Sequence, residues 1–371
     1  MLIRLTGIKM KRLICSIFLV LPALVLCACI TEFETKDIDE VEGILVVEGI
    51  ITDDESVITL SRSKGLSYED NLLDLSPYHV TDAKVSIECD DGTQWNTAGQ
   101  DAGQYTIQIG KLNSERQYRL KIELEAQEYL SEYAYPMATP EIDSVFWTKK
   151  DSGQPVNIHL ATHASDGVVH YYRWSYREDW ETRARISGYG PSLCSKHNHS
   201  KGLLLGTNEK NSSGQLIEIL TETHPRNDRL SVLYRIDVKQ HAISKRAFEY
   251  YTNIKKNAQK TGRIFAHVPS ELKGNISCTT DPALMVIGYV DVSSATHERL
   301  YIYRDEDVYE QAYNPASCYR AYQSGGDYTG YVNIDGFYVE QFCINCQLDG
   351  GRPIEELPDD WPNQYTIYPW N

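Results

Sequence analysis

The chain has 371 residues, 42% of them apolar, enough to fill two hydrophobic cores. It carries 52 acidic against 36 basic residues, a net charge of -16, and therefore repels phosphate backbones and anionic headgroups at long range. That balance excludes nucleic acid as an expected partner and disfavours peripheral binding to anionic lipid.

The N-terminal segment is ordered first by charge and then by hydropathy. Arg4, Lys9, Lys11 and Arg12 precede an apolar run from Leu13 to Leu26, shorter than the ~20 residues that cross a bilayer. Leu26-Cys27-Ala28-Cys29 closes the run with an aliphatic residue three positions before a cut, a small residue just before it and a cysteine just after it. This is the pattern of a bacterial lipoprotein site, so residues 1–28 read as a signal peptide and Cys29 as the lipid-bearing first residue. The acyl chains would add ~0.8 kcal/mol per buried methylene, enough for stable anchoring. Cleavage there removes four basic residues and no acidic one, leaving 32 basic against 52 acidic, or -20. Ile30 and Thr31 stand where an Asp would retain a lipoprotein in the inner membrane, which places the chain at the outer membrane. Residues 29–42 form an acidic, extended tether.

From Gly43 the pattern becomes β. The runs Ile44 to Ile51 and Val57 to Leu60, then Ala83 to Glu88, Tyr105 to Ile109 and Tyr118 to Leu124, are strand-length segments separated by turn residues. They predict an antiparallel sandwich over 43–138, with 64–80 as a long loop. A second β-rich region, 139–371, starts at Ile142 to Trp147 and continues through Val156 to Leu160, Val168 to Tyr176, Ile217 to Leu220 and Ser231 to Val238. One segment near 244–261 differs: Ser244 can cap a helix in which Ala247, Phe248, Tyr251, Ile254 and Ala258 recur at helical spacing, with Gly262 just past its end. Ala283 to Val290 and Arg299 to Tyr303 are further strands. The fold class is mainly β: two antiparallel β-sandwich domains of immunoglobulin or fibronectin-III type, the second with an inserted amphipathic helix.

Six cysteines remain beyond Cys29: Cys89, Cys194, Cys278, Cys318, Cys343 and Cys346. An even number in an oxidising compartment predicts disulfides, and six thiols allow 15 pairings. The close pair Cys343 and Cys346 lacks the βαβ setting of a redox site and reads as structural, clipped to Cys318. Cys194, His197 and His199 form the tightest metal-ligand cluster, but no fourth ligand accompanies them, so no metal is expected. No cofactor fingerprint, Gly-x-Ser-x-Gly elbow or His-Glu-x-x-His motif occurs. Carboxylate pairs such as Asp359 and Asp360 are expected by chance in so acidic a chain. The tyrosine-rich segment from Tyr301 to Tyr338 is the best hint of binding, with Tyr319, Tyr322, Tyr328 and Tyr331 as a candidate platform for a glycan or peptide.

Several short motifs recur in order along the chain: Leu45-Val46-Val47-Glu48-Gly49-Ile50-Ile51-Thr52-Asp53, Val80-Thr81-Asp82-Ala83-Lys84-Val85, Ala102-Gly103-Gln104-Tyr105, Ile142-Asp143-Ser144-Val145, Tyr171-Tyr172-Arg173-Trp174, Gly274-Asn275-Ile276, and Cys343-Ile344-Asn345-Cys346 with Gly350-Gly351. In this order they resemble the domain of unknown function 4249 family of Bacteroidota-type outer-membrane lipoproteins. The stretch Glu355 to Trp361 is longer than that family's pattern. The resemblance implies association with a TonB-dependent outer-membrane barrel, and the acidic tether resembles the export signals of surface-displayed members. The expected function is thus non-enzymatic, that of an accessory or ligand-capture subunit exposed at the cell surface. The alternatives are an adhesin or surface-structure module without a transporter, and a hydrolase with an unrecognised site.

Overall fold

The computed structural model describes residues 43–63, 78–97, 99–164, 168, 170–186, 191–211, 213–225, 227–261, 274–304, 308, 318–320, 324, 326–348, 350–353 and 357–362. The signal peptide, Cys29 and the 29–42 tether lie outside the described residues, as does Tyr322.

Alternation of apolar and polar side chains builds most of the strands. The first group is β1 (Leu45–Ile51), β2 (Glu55–Arg62), β3 (Lys84–Cys89), β4 (Gln94–Asn96), β5 (Gly99–Asp101), β6 (Gln104–Gln108), β7 (Tyr118–Leu124) and β8 (Gln127–Ser131). On β7, Tyr118, Leu120, Ile122 and Leu124 point into the core while Arg119, Lys121 and Glu123 face water. The second group is β9 (Ile142–Lys149), β10 (Val156–His163), β11 (Tyr171–Arg183), β12 (Leu193–His199), β13 (Leu204–Thr207), β14 (Gln215–Thr223) and β15 (Leu233–Ile243). Then come a helix α1 (Lys245–Thr261), β16 (Ile276–Cys278), β17 (Val286–Val292), β18 (Ala295–Tyr303) and the short strands β19 (Tyr319–Arg320), β20 (Tyr331–Ile334) and β21 (Phe337–Glu340).

The expected boundary at residue 138 needs correction. The first sandwich faces a sheet ordered β17-β1-β2-β6-β5 against one ordered β16-β8-β7-β3-β4, so two of its strands come from beyond α1. Ile276, Cys278, Val286, Val290 and Val292 share its core with Val47, Ile58, Ile87 and Leu120. The pairing of β1 with β17 is parallel, in register from Leu45↔Val286 to Ile51↔Val292. All seven residues of β17 are buried, because α1 covers the face that the core does not. The second sandwich packs β14-β10-β9 against β12-β11-β15-β18, around Ile158, Leu160, Tyr172, Trp174, Tyr234 and Ile236. A small fifth sheet, β19-β21-β20, follows.

Asn275 closes the outer edge of β17. Its side chain donates to the Val290 carbonyl at 2.7 Å and accepts from the Val290 N–H at 2.9 Å, while its own carbonyl accepts from Glu132 N–H at 2.8 Å. The side-chain amide thus substitutes for a missing strand neighbour. Gly274 is confined by the same contact: a Cβ there would lie 1.4 Å from the Gly288 carbonyl oxygen.

The two sandwiches are stitched by polar groups that the crossing segments share. Gln240 is fully buried and uses both ends of its amide, accepting from Trp174 Nε1 at 2.7 Å and donating to the Pro140 carbonyl at 2.8 Å and to Thr162 Oγ1 at 3.2 Å. Thr139 accepts from the Ala242 N–H at 2.9 Å and donates to the Ser294 carbonyl. As the sequence predicts, Ser244 caps α1, its hydroxyl accepting from Ala247 N–H at 3.1 Å. Asp291, at the end of β17, in turn accepts from the Ser244 N–H at 2.9 Å. The buried face of α1 presents Ala247, Tyr250 and Tyr251 to Ile50 and Tyr289 of one sandwich and Tyr171 and Ile243 of the other.

Truncating Asn275 to Ala orphans a buried donor and acceptor of Val290, and should cost about 3 kcal/mol. The urea midpoint should fall at unchanged slope. Two groups at the seam also titrate in opposite senses. Burial raises the Asp291 carboxyl to about 6 and lowers the His241 imidazole to about 3. Folded Asp291 keeps a proton that the unfolded chain releases, so its contribution is complete below pH 3.8 and lost as pH rises to about 6. His241 resists protonation when folded, so its contribution is present above pH 6.5 and lost as pH falls toward 3. Asp291→Asn removes one slope and exposes the other: relative to the parent, denaturation midpoints should show stability falling by about 1.4 kcal/mol more per pH unit from pH 6 to 4.

Candidate functional site

Two disulfides hold the C-terminal segment. Cys318 pairs with Cys343 across 25 residues and Cys194 with Cys346 across 152, with Cα separations of 6.1 and 5.9 Å. The close pair therefore serves two separate bridges, one of them the expected clip to Cys318. Cys194 is consumed by its bridge, so its cluster with His197 and His199 offers no thiolate to a metal. The two imidazoles stand 5.9 Å apart edge to face, and no group of three metal-binding side chains occurs among the described residues. Burial, followed by the neighbouring Arg352 charge, lowers the His197 imidazole.

Cys89 and Cys278 are buried free thiols. Parity suggested a third disulfide, but β3 and β16 are three strand spacings apart in their sheet, about 14 Å, twice the ~7 Å limit between bridged Cα atoms. Both point into the first core, where cysteine acts as a small apolar residue.

The small sheet separates the candidate tyrosines between its two faces. Directly paired residues share a face, so Tyr319, opposite Val339, lies on the side that packs with Cys318, Cys343 and Ile344. It stays 43% exposed at the margin, edge to face with Phe337, itself 58% exposed. The other face gathers Arg320, Tyr331, Tyr338 and Glu340, with Tyr328 from the preceding loop. Tyr328 lies tilted against Tyr338, ring centroids 4.0 Å apart, and meets Tyr331 at 6.2 Å, and the Arg320 guanidinium sits 5.6 and 5.7 Å from Tyr328 and Tyr331. Tyr331 donates to Glu340 at 2.7 Å, which holds its phenol above the ordinary range. The arrangement offers flat ring surface beside a guanidinium and a carboxylate, suited to hydroxyl-rich or peptide ligands.

The outer face of β12-β11-β15-β18 carries a second polar constellation, from residues far apart in sequence. Arg177 grips Asp179 with two nitrogens, Arg235 pairs with Asp237 at 2.7 Å, and Arg299 also pairs with Asp237. Asp360 bridges Arg235, at 2.7 Å, and Arg299. Those two guanidiniums hold its carboxyl below the usual carboxylate range. Trp361 donates its indole N–H to Glu181 at 2.5 Å and lies 5.7 Å from the Arg235 guanidinium. Neither Asp360 nor Trp361 is signalled by any local motif.

Two fused sandwiches, one long helix and a disulfide-clipped C-terminal sheet define a multi-sheet β protein. The family described as Domain of unknown function (DUF4249) matches residues 30–299, and the chain belongs to it. The small sheet and residues 300–371 lie outside that match. No curated protein matches the chain.

Thiol titration checks the cysteine assignment. A body starting at Gly43, unfolded without reductant, should react at two thiols, Cys89 and Cys278, rising to six after reduction.

Proposed function

We propose that the protein is a non-enzymatic lipoprotein, held at the outer surface of the outer membrane through Cys29, that captures a glycan or peptide ligand for a TonB-dependent transporter. The observation that carries this reading is the order of the N-terminus: a basic and apolar leader, the lipid-acceptor sequence Leu26-Cys27-Ala28-Cys29 and an acidic tether, ahead of a sandwich body. Membership of the matched family and the Arg320–tyrosine face support it. A lipid tether confines the body to the membrane plane and raises its effective concentration beside a barrel.

Purification of the full-length protein in mild detergent should bring down a transporter barrel, and Cys29→Ala should release the protein from the membrane fraction. Recovery of the lipidated protein with no barrel partner would count decisively against the transport reading.

A further inference from the structure

Two glutamates on β11 are equally buried but differently satisfied. Glu178, on the inner face, accepts from Asn198 Nδ2 at 2.7 Å, from Arg229 Nη1 at 3.1 Å and from Tyr234 hydroxyl at 2.7 Å. Glu181, on the outer face, is 0% exposed and receives the Trp361 indole on Oε1, while its Oε2 has no hydrogen-bond partner. A buried carboxylate with three donors is a structural group, but one left half-satisfied by its cover has unused binding capacity.

The cover is also lightly attached. Among the described residues, Leu357–Pro362 touches the sheet through side-chain hydrogen bonds of Asp360 and Trp361 and through no main-chain one; its Trp361 N–H turns back to the Pro358 carbonyl. Among the described residues, the last main-chain pairing with the sheet is that of Arg352 with Ser195. Asp360 keeps a side chain 53% exposed, so it approaches the two arginines from outside rather than as part of the ladder. The receiving groups, by contrast, are built in: Asp179, Glu181 and Arg235 are buried, and the Arg235 guanidinium is held by Asp179 and Asp237.

The geometry points to the outer face of β11-β15-β18 as a peptide-binding site for a partner segment that presents a carboxylate followed by an aromatic N–H donor, a site that the chain's own Asp360-Trp361 fills in cis. The carboxylate goes between Arg235 and Arg299, a charge-assisted arrangement. The aromatic ring rests against the Arg235 guanidinium with its N–H on Glu181. A partner segment carrying one further donor for Glu181 Oε2 satisfies the site better than the cis segment does, and so displaces it. This reading goes beyond the transport role and stands independently of it.

The test uses a fluorescently labelled peptide of residues 357–362, Leu-Pro-Asp-Asp-Trp-Pro, and the mature chain carrying Asp360→Ala and Trp361→Ala. Fluorescence anisotropy should show binding at least tenfold tighter to this emptied variant than to the parent, and Arg299→Gln added to it should abolish binding. Should the double substitution disturb the sheet, seen as altered circular dichroism, Trp361→Ala alone leaves every charge in place and should still bind the peptide more tightly than the parent, by a smaller factor because Asp360 keeps the two arginines in cis. Equal binding to parent and emptied protein, no binding to either, or binding indifferent to Arg299→Gln would overturn the assignment.

Discussion

The parallel pairing of β1 with β17 is the constraint on which the rest of the structure depends. It draws a strand from beyond the second sandwich into the first, so the chain must cross between them three times: before β9, after β15 and before β18. Each crossing brings backbone groups into the interior that need partners, and Thr139, Gln240, Ser244 and Asp291 supply them. The helix follows from the same constraint, because β17 leaves an apolar outer face that only an amphipathic element can cover. Neither sandwich core is therefore independent of the other's chain segments.

The C-terminal segment is a different kind of structure, held by covalent bonds and side chains more than by a core. Its own apolar cluster is small, with Cys318, Val339, Cys343 and Ile344 at its centre. The bridge from Cys346 to Cys194 fixes it to β12, and Gly351 is pressed so closely against that bridge that a Cβ there would lie 2.6 Å from Cys194 Cβ. The matched family span ends at residue 299, and the aromatic face and the Asp360-Trp361 segment lie beyond it.

Much of the scaffold was legible because its signals are local. Period-two runs marked most of the strands, and the Ser244 cap with Ala247, Phe248, Tyr251 and Ile254 marked the helix near its observed limits. The run Ala283 to Val290 marked a strand, which the structure places at Val286 to Val292 with both faces buried, but periodicity does not name a partner strand. Cysteine parity misled for a related reason: distance within a sheet, not number, decides which thiols meet. The candidate tyrosines were clustered in sequence yet divided by the pleat, Tyr319 on one face and Tyr331 on the other. The charged face drew on β11, β15, β18 and the C-terminal segment, a combination with no linear signature.

The position of β1 between β2 and β17 also has a mechanical meaning. Tension entering at the N-terminus runs along a central strand, so the hydrogen bonds to both neighbours are loaded side by side in shear rather than peeled one at a time. The Cys194–Cys346 bridge then removes the intervening 152-residue separation from the extensible length, roughly 500 Å of contour at ~3.3–3.6 Å per residue. Such a chain resists load first through the paired ladders of its first strand, and the bridge limits how far it can lengthen once they part.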